Sequence, residues 1–235
     1  MWTKIKRRLR RIYLSAGSGA NCPICGWTGH SFERVAVAEK LAVSVVCPSC
    51  NSLERHRFAY FKLVGLLPGY AARTLHFAPE ECIEPWLRSI SGEYLSADLM
   101  SSSAMQLMDI TELPLKEASY SLVWCSHVLE HIENDAKAMA EIFRVLAPGG
   151  VAVIMVPVYG ANTYEDWTIT NPADRLKHFK QEDHVRLYGN DIQDRLLAAG
   201  FKVEVMRVSD VPDETVGKHG LWYPTTQEIF YCTKV

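Results

Sequence analysis

From residue 53 onward, short apolar runs alternate along the chain with segments of helical periodicity. The apolar runs at residues 73–78, 93–97, 121–126, 151–156, 201–207 and 228–232 predict strands, and a weaker run predicts another at 104–108. Helical periods occupy residues 53–67, 80–90, 135–146 and 190–199. Strands and helices that alternate with short links predict an α/β protein with an open, doubly wound, mostly parallel sheet. Such a sheet binds its ligands at the carboxyl ends of its strands.

The first 20 residues have a different pattern, in which Trp2, Ile5, Leu9 and Ile12 recur at helical spacing. Residues 1–11 carry six cations and no acid, which leaves 19 cations and 27 acids in residues 12–235. The pattern predicts a basic amphipathic helix over residues 1–19. Such a helix can contact an anionic membrane through residues 1–14, bind an acidic partner, serve as a mitochondrial presequence or remain solvated.

Composition and hydropathy narrow the class of protein. With 48% apolar and 22% charged residues, the chain is an ordinary globular protein and not a disordered one. No apolar run approaches the roughly 20 residues of a membrane-spanning helix. The start of the chain also lacks the apolar stretch and cleavage site of a secretory signal. These features predict a cytoplasmic protein, with peripheral contact at the inner face of the membrane as an option.

Four of the seven cysteines form two pairs, Cys22-Pro-Ile-Cys25 and Cys47-Pro-Ser-Cys50. Each pair can place two thiolates on one tight turn, and two such turns provide the tetrahedral sulfur site that Zn²⁺ prefers. Two disulfides would require an oxidising compartment, and a redox Cys-x-x-Cys is usually single. Cys22, Cys25, Cys47 and Cys50 are therefore predicted to bind a structural Zn²⁺ in a small N-terminal zinc ribbon over residues 20–52.

A basic triplet, Arg55-His56-Arg57, follows the second cysteine pair, and zinc ribbons often contact nucleic acid. The acidic remainder of the chain opposes nonspecific binding to a polyanion, where phosphate contacts provide most of the affinity. A small-molecule or saccharide substrate is therefore favoured over nucleic acid.

Four segments carry a family resemblance. Leu122-Val-Trp-Cys-Ser-His-Val-Leu-Glu-His-Ile132 and Glu141-Ile-Phe-Arg-Val-Leu-Ala-Pro-Gly-Gly150 resemble class I S-adenosylmethionine-dependent methyltransferases, in particular the ubiquinone-biosynthesis-like branch. Cys47-Pro-Ser-Cys50-Asn-Ser-Leu-Glu-Arg-His-Arg57 and Gln181-Glu-Asp-His-Val-Arg-Leu-Tyr-Gly189 resemble a bacterial subgroup with an N-terminal zinc ribbon. The resemblance implies a Rossmann-like, seven-stranded domain over residues 53–235, S-adenosyl-L-methionine as cofactor, and an acceptor from polysaccharide biosynthesis.

The cofactor residues are expected after the first four strands. Asp98 ends the second strand, where a carboxylate can accept both ribose hydroxyls, with helix capping as the alternative. The resemblance places Asp109 and Ile110 against the adenine, although Asp109 also suits a turn. The family's glycine-rich turn after the first strand is here Leu75-His-Phe-Ala-Pro-Glu80, which lacks glycine. The predicted cofactor contacts are completed by His76, Ala78, Glu80 and Ser126.

Methyl transfer to a hydroxyl requires alignment and a base of near-neutral pKa, for which histidine is suited. His184 is predicted as this base and His131 as the second catalytic candidate; a loop hydrogen bond is the alternative role for His184. Residues 158–188 exceed a plain connection in length and predict a substrate cover. Its predicted substrate contacts are Tyr164, His178, Arg186 and Tyr188.

The sequence thus predicts O-methylation of a sugar or another small glycoconjugate precursor. Two alternatives stay open. The first is a noncatalytic binding protein, because the turn after the first strand lacks glycine. The second is a methyltransferase that acts on nucleic acid or protein, with the ribbon docking the macromolecule.

Overall fold

The computed structural model describes residues 11–36, 43–67, 71–225 and 227–235. The chain divides into two compact units, one from Met1–Leu66 with Arg207–Gln227 and one from Leu67–Met206 with Glu228–Val235. The predicted domains were 20–52 and 53–235. The helix after the cysteine pairs and a segment near the C-terminus therefore group with the first unit instead of the second.

The first unit begins with two short hairpins. Strands β1 (Ala20–Asn21) and β2 (Thr28–Gly29) pair antiparallel, as do β3 (Glu33–Ala36) and β4 (Val43–Val46). Helix α1 (Glu54–Leu63) follows and buries Phe58, Ala59 and Leu63. The predicted helix over residues 53–67 therefore ends about one turn early.

The second unit contains most of the elements, interrupted by the part of the chain that returns to the first unit. In chain order they are β5 (Ala71–Phe77), α2 (Glu84–Ser89), β6 (Ser91–Asp98), β7 (Gln106–Leu107), β8 (Tyr120–Ser126), a 3-10 turn (Leu129–His131), α3 (Asp135–Val145), β9 (Leu146–Met155), β10 (Tyr164–Glu165), α4 (Pro172–Phe179), β11 (Arg186–Leu187), α5 (Ile192–Ala198), β12 (Lys202–Arg207) and β13 (Glu228–Thr233). Between β12 and β13 the chain forms a 3-10 turn (Val208–Asp210) and α6 (Asp213–His219), which belong to the first unit.

Seven strands form one sheet in the order β12-β13-β9-β8-β5-β6-β7. The pairs β5–β6, β5–β8, β6–β7 and β8–β9 are parallel, whereas β13 runs antiparallel to β9. The prediction of a Rossmann-like, mostly parallel seven-stranded α/β sheet is confirmed. Strand order reverses between β5 and β8, and ligands bind at such a switch point, beside the carboxyl ends of the strands.

The core of the second unit forms where helices cover the inner strands. In α3, Ala138, Met139, Ile142 and Val145 are buried at helical spacing. The helix starts at a favourable cap, since the Asn134 side chain accepts a hydrogen bond from the Lys137 backbone N–H at 3.0 Å. Nearly every residue of β8 is buried, as expected of a central parallel strand with both faces covered.

One boundary differs from the prediction. The predicted helix over residues 135–146 and the predicted strand over 151–156 leave residues 147–150 as a link, but α3 ends at Val145 and β9 runs from Leu146 through this segment. The register shifts between Tyr120 and Leu122 on the neighbouring strand. At Gly150 a Cβ atom would lie 2.8 Å from the Ala147 carbonyl oxygen, so the irregular strand requires glycine at that position.

Residues 1–10 of the predicted basic helix over residues 1–19, which are also the first ten residues of the segment 1–14 with predicted membrane contact, lie outside the described residues. Residues 11–14 are helical. Among the described residues, no helix has the length and apolarity needed to cross a bilayer.

Candidate functional site

The cysteine cluster of the first unit consists of Cys22, Cys25, Cys47 and Cys50, whose sulfur atoms all lie within 4.8 Å of one another. The Cys22 and Cys50 sulfurs are 3.7 Å apart, and those of Cys25 and Cys47 are 3.8 Å apart. A tetrahedral site with Zn–S bonds of about 2.3 Å has sulfur–sulfur edges of about 3.8 Å. The four cysteines that spacing predicted as ligands therefore have the geometry of a zinc site.

The turns that carry the sulfurs are shaped for this arrangement. Gly26 and Asn51 follow the second cysteine of their pairs and adopt φ angles of 73° and 58°. Their backbone N–H groups donate to the carbonyls of Cys22 and Cys47, each at 3.0 Å. Hydrogen bonding among the sulfurs lowers the pKa of Cys22 and raises the pKa values of Cys47 and Cys50, because one thiolate accepts hydrogen bonds from neighbouring thiols.

Arg57 is completely buried beside the cysteine cluster. Its guanidinium donates to the carbonyls of Val45 and Gly220 at 2.7 Å, and to that of Ser52, and it lies 4.1 Å from the centre of the Phe32 ring. Burial lowers the pKa of Arg57, whereas Glu54 and the cysteine sulfurs oppose that shift. Arg57 is therefore a structural cation, and the basic triplet does not present it to nucleic acid.

The second unit has a cleft of about 390 Å³ at the carboxyl ends of β5, β6 and β8. It is lined by Phe77, Ala78, Ala97, Asp98, Leu99, Met100, Met108, Asp109, Ile110, His127, Val128, His131, Ile132 and Asp183. The walls are mainly apolar, with a few carboxylates and imidazoles among them. This is the usual composition of a site for a small molecule or cofactor.

Two residues of the cleft have left-handed backbone conformations. Ala78 follows β5 with φ of 47°, and His127 follows β8 with φ of 55°. Non-glycine residues with positive φ cluster at functional sites, where the surrounding structure holds them in place. At Ala78 the small side chain allows the turn to form without the glycine that the family usually has.

Asp98 and Asp109 both line the cleft and both stabilise their own loops. Asp98 Oδ1 accepts hydrogen bonds from the backbone N–H groups of Met100 and Ser101 at 2.8 and 2.7 Å. Asp109 Oδ1 accepts from the N–H and hydroxyl of Thr111 at 2.8 and 2.7 Å, and these bonds lower the pKa of Asp109. Each carboxylate therefore combines the turn role with a position from which it can contact a ligand.

Three predicted cofactor contacts lie elsewhere. Among the described residues, the lining of the cleft includes Ala78, Asp98, Asp109 and Ile110, but not His76, Glu80 or Ser126. The His76 ring is fully buried, with Nε2 2.7 Å from Glu80 Oε2. The same Glu80 oxygen accepts from the Trp124 indole N–H at 3.1 Å. His76 and Glu80 thus form a packed polar group behind the turn.

The two predicted catalytic histidines lie side by side. The ring centroids of His131 and His184 are 4.7 Å apart and nearly perpendicular. His131 lines the cleft, whereas His184 is only 1% exposed. Burial lowers the pKa of His184, so its imidazole is neutral at neutral pH. His184 therefore lies behind His131 and not at the cleft surface.

A buried carboxylate accompanies these histidines. Glu130 is 2% exposed, and its Oε1 lies 3.1 Å from His127 Nδ1. Burial raises the pKa of Glu130, but His127 and His131 more than offset this, so the pKa is lowered overall. Sequence reasoning missed Glu130 as a site residue, although it precedes His131 in the turn that follows the buried strand β8.

The predicted substrate contacts fall into two groups. The Tyr164 hydroxyl lies 3.0 Å from His178 Nδ1, and both residues are exposed. Arg186 is 1% exposed, with Nε 2.5 Å from Glu165 Oε1, and it donates to the carbonyls of Ile132 and Glu133. The buried Tyr188 hydroxyl donates to Asp135 at 2.7 Å. Arg186 and Tyr188 therefore hold the 158–188 segment in place instead of facing an acceptor.

Comparison with known proteins relates the segment that forms most of the cleft to a protein family. Residues 68–154 match a family described as a methyltransferase domain. A Mycolicibacterium smegmatis protein named "Probable S-adenosylmethionine-dependent methyltransferase" is 43% identical over 97 residues, which are 41% of this chain and 34% of that protein. A malonyl-(acyl-carrier protein) O-methyltransferase of Methylovorus sp. is 32% identical over 100 residues, 43% of this chain and 32% of that protein. The chain spans about a third of the length of these curated relatives.

Solved structures share the fold. A Burkholderia thailandensis 1,6-didemethyltoxoflavin-N1-methyltransferase with bound S-adenosylhomocysteine aligns with a TM-score of 0.53 at 17% identity, over 77% of this chain and 78% of that chain. The matched family segment includes β5, β6 and β8, which build the cleft. Residues 68–154 therefore match a methyltransferase domain, and they lie within a Rossmann-like fold that solved methyltransferases share.

Proposed function

We propose that the whole protein is a methyltransferase that uses S-adenosylmethionine to methylate a hydroxyl of a sugar or another small glycoconjugate precursor. The observation that supports this most strongly is the cleft at the switch point of the sheet, whose lining residues other than Asp183 all belong to the segment that matches a methyltransferase domain. The noncatalytic alternative depended on the glycine-free turn. Ala78 adopts the left-handed conformation that such a turn needs, which supports a functional cleft.

The residues of the cleft are suited to the parts of the cofactor. Asp98 uses Oδ1 for its own turn, and none of the described residues donates a hydrogen bond to Oδ2. We assign this oxygen to the ribose hydroxyls, and Asp109 with Ile110 to the adenine. When bound, S-adenosylmethionine supplies a methyl carbon activated by the positive sulfur. The protein then has to align the acceptor with that carbon and exclude water.

An oxygen acceptor is supported by the histidines at the cleft. His131 lies on the cleft wall, and a neutral imidazole next to it can assist the loss of a hydroxyl proton. The exposed Tyr164 and His178 pair on the 158–188 segment is suited to hydrogen-bond a polyhydroxylated acceptor. One relative is itself named as an O-methyltransferase, which agrees with an oxygen acceptor.

We further propose that the cysteine cluster binds a structural Zn²⁺ and that the chain belongs to the zinc-ribbon subgroup of the ubiquinone-biosynthesis-like branch. The sulfur–sulfur distances of 3.7 and 3.8 Å support this assignment. Four sulfur ligands leave no coordination position for a substrate, so the metal stabilises the fold of the first unit.

Transfer of a labelled methyl group tests the proposed activity. The full chain is incubated with methyl-labelled S-adenosylmethionine and panels of saccharides, sugar nucleotides, proteins and nucleic acids. Label is expected in the saccharide panel, and the Asp98→Asn variant is expected to transfer less of it at limiting cofactor concentration. Label in protein or nucleic acid alone would contradict the proposed acceptor, and no label in any panel would contradict the proposed activity.

A further inference from the structure

A second group of side chains suited to a cation lies beside the cleft. Glu130, His131 and His184 each place one donor atom within 4.8 Å of the other two. We call these three residues the histidine–glutamate cluster. Two of them are almost fully buried, and His131 lies on the wall of the cleft. We propose that this cluster binds a divalent first-row transition-metal ion, which in turn binds the acceptor hydroxyl.

The buried polar atoms of the cluster have the character of metal ligands. Among the described residues, Glu130 Oε2 and His184 Nε2 have no hydrogen-bond partner. The two residues are 2% and 1% exposed, so water does not solvate these atoms as it would at a surface. His127 Nδ1 lies 3.1 Å from Glu130 Oε1 but leaves Oε2 without a partner in the described part of the chain, and a buried polar atom without a partner is destabilising. A cation between Glu130 and His184 would satisfy both atoms at once.

The orientation of the rings supports the same assignment. His184 Nδ1 lies 3.0 Å from the Phe179 carbonyl oxygen, so Nδ1 carries the proton and donates it there. Nε2 of His184 therefore keeps its lone pair. Metal-bound histidines commonly have their second ring nitrogen fixed by a backbone carbonyl or a carboxylate. On the other side, Asp183 Oδ2 lies 3.3 Å from His131 Nδ1, so a carboxylate borders the cluster at the cleft.

The donor set indicates which ion would bind and what it would do. Two imidazoles and one carboxylate suit zinc, iron, cobalt and manganese, whereas calcium and magnesium prefer oxygen alone. Three protein ligands also leave coordination positions open, which is characteristic of catalytic metal sites. The open positions can face the cleft because His131 is part of its wall. The acceptor class that fits is a hydroxyl compound able to coordinate the ion.

The role in catalysis rests on the proposed function. A hydroxyl bound to the ion has a lowered pKa, so its O–H bond breaks and the proton leaves to solvent near the exposed Asp183. The freed electron pair on oxygen forms the bond to the methyl carbon. The carbon–sulfur bond breaks, and its electron pair stays on sulfur to give S-adenosylhomocysteine. Charge and atoms balance without an oxidant or reductant.

Metal binding is tested directly on the purified full chain. After any metal outside the cysteine cluster is removed, calorimetric titration with Co²⁺ or Mn²⁺ is expected to show one further metal ion bound per chain. Glu130→Gln keeps the shape of the side chain and removes its charge. This variant and His184→Ala are each expected to lower the affinity for this ion by at least about tenfold. His178→Ala removes an exposed histidine outside the cluster and should bind the ion as the native chain does.

The outcomes separate this proposal from the proposed function. Binding of S-adenosylhomocysteine, measured for each variant, shows that the fold and cleft are intact. Absence of the further equivalent in the native chain, or its unchanged affinity in folded Glu130→Gln, would overturn the metal site even if methyl transfer occurs. A bound ion without methyl transfer to any acceptor would instead leave the site standing and overturn the proposed function.

Discussion

The cysteine cluster and the histidine–glutamate cluster differ in how completely their own side chains surround a cation. The cysteine cluster offers four sulfurs with the edges of a tetrahedron, and Arg57 lies buried beside it as a positive charge. The histidine–glutamate cluster offers three donors and borders an open cleft. A complete set of ligands stabilises a fold, whereas an incomplete set leaves room for a reacting molecule.

The surroundings of the two clusters also differ in backbone strain. Around the cysteine cluster, positive φ angles fall on Gly26 and on Asn51, residue types that tolerate this conformation. At the cleft they fall on Ala78 and His127, which tolerate it less well. The first unit is therefore locally consistent with its sequence, and the cleft is held in place by the packing around it.

The largest effect is expected from the loss of a cysteine ligand. Zinc binding supplies on the order of 10 kcal/mol to the folding of small zinc domains. Cys47→Ser removes a buried ligand and should abolish bound zinc and the protease resistance of the first unit. Elemental analysis and limited proteolysis measure both. Cys82→Ser, outside the cluster, should retain the zinc; a full equivalent of zinc in Cys47→Ser would contradict the assignment.

A smaller loss is expected at the cleft when Asp98 changes. Asp98→Asn preserves an oxygen for the turn at Met100 and Ser101 but removes the charge that favours the ribose hydroxyls. Hydrogen bonds to a charged group contribute about 1.5–3 kcal/mol, so affinity for S-adenosylhomocysteine should fall by roughly tenfold or more. Calorimetry measures this, with Asp194→Asn on the exposed side of α5 as control. Equal affinity in both variants would refute the ribose assignment.

Low pH should destabilise the loop beside the cleft, because it protonates Glu141. This carboxylate accepts from the Leu113 backbone N–H at 2.7 Å and pairs with Arg144, which donates to the carbonyls of Leu113 and Leu115. The pair thereby anchors the loop that follows Asp109 and Ile110. The Arg144 guanidinium holds the pKa of Glu141 below its usual value, despite opposing burial.

The sign of this pH dependence follows from the lowered pKa. The contribution of Glu141 is complete above the unfolded pKa of about 4.3 and is lost as pH falls through the lower folded value. Glu141→Gln should cost about 1 kcal/mol at neutral pH, and less at pH values below the folded pKa. Urea unfolding across pH measures the difference. A difference that stays constant into strong acid would contradict the role of the ionised carboxylate.

The smallest effect is expected at Ala78, where glycine should relieve strain. A left-handed conformation costs a non-glycine residue about 1–2 kcal/mol, and a glycine avoids this strain. The greater flexibility of glycine in the unfolded chain offsets about 0.5–1 kcal/mol of the gain. Ala78→Gly should therefore stabilise the protein by roughly 0.5 kcal/mol. Ala140→Gly, at an exposed position inside α3, should destabilise it by about 1 kcal/mol. Thermal unfolding that shows the same loss for both variants would contradict the strain at Ala78.

The strands themselves and the cysteine cluster could be predicted because their signals are local. Cysteine pairs show their spacing directly, and buried strands such as β8 and β9 show continuous apolar runs. Asp98 and Asp109 could be placed because they follow strands that end at the same edge of the sheet. These features depend on residues that are close in sequence.

The positions of the other site residues depend on which face of the sheet a side chain points to, and on contacts between residues that are distant in sequence. His76 and Phe77 are neighbours on β5, but side chains alternate between faces, so Phe77 lines the cleft and His76 does not. Arg186 satisfies carbonyls more than 50 residues earlier in the chain, which no local pattern shows. His184 likewise meets Glu130 only through the folding of the 158–188 segment.

Calorimetric titration of the full native chain with S-adenosylhomocysteine tests the central claim most directly, because it measures the cleft without requiring the acceptor. The account predicts saturable binding with one equivalent per chain. The Asp98→Asn variant should bind more weakly under the same conditions. No detectable binding to the correctly folded, zinc-containing protein would contradict the assignment of the cleft to S-adenosylmethionine.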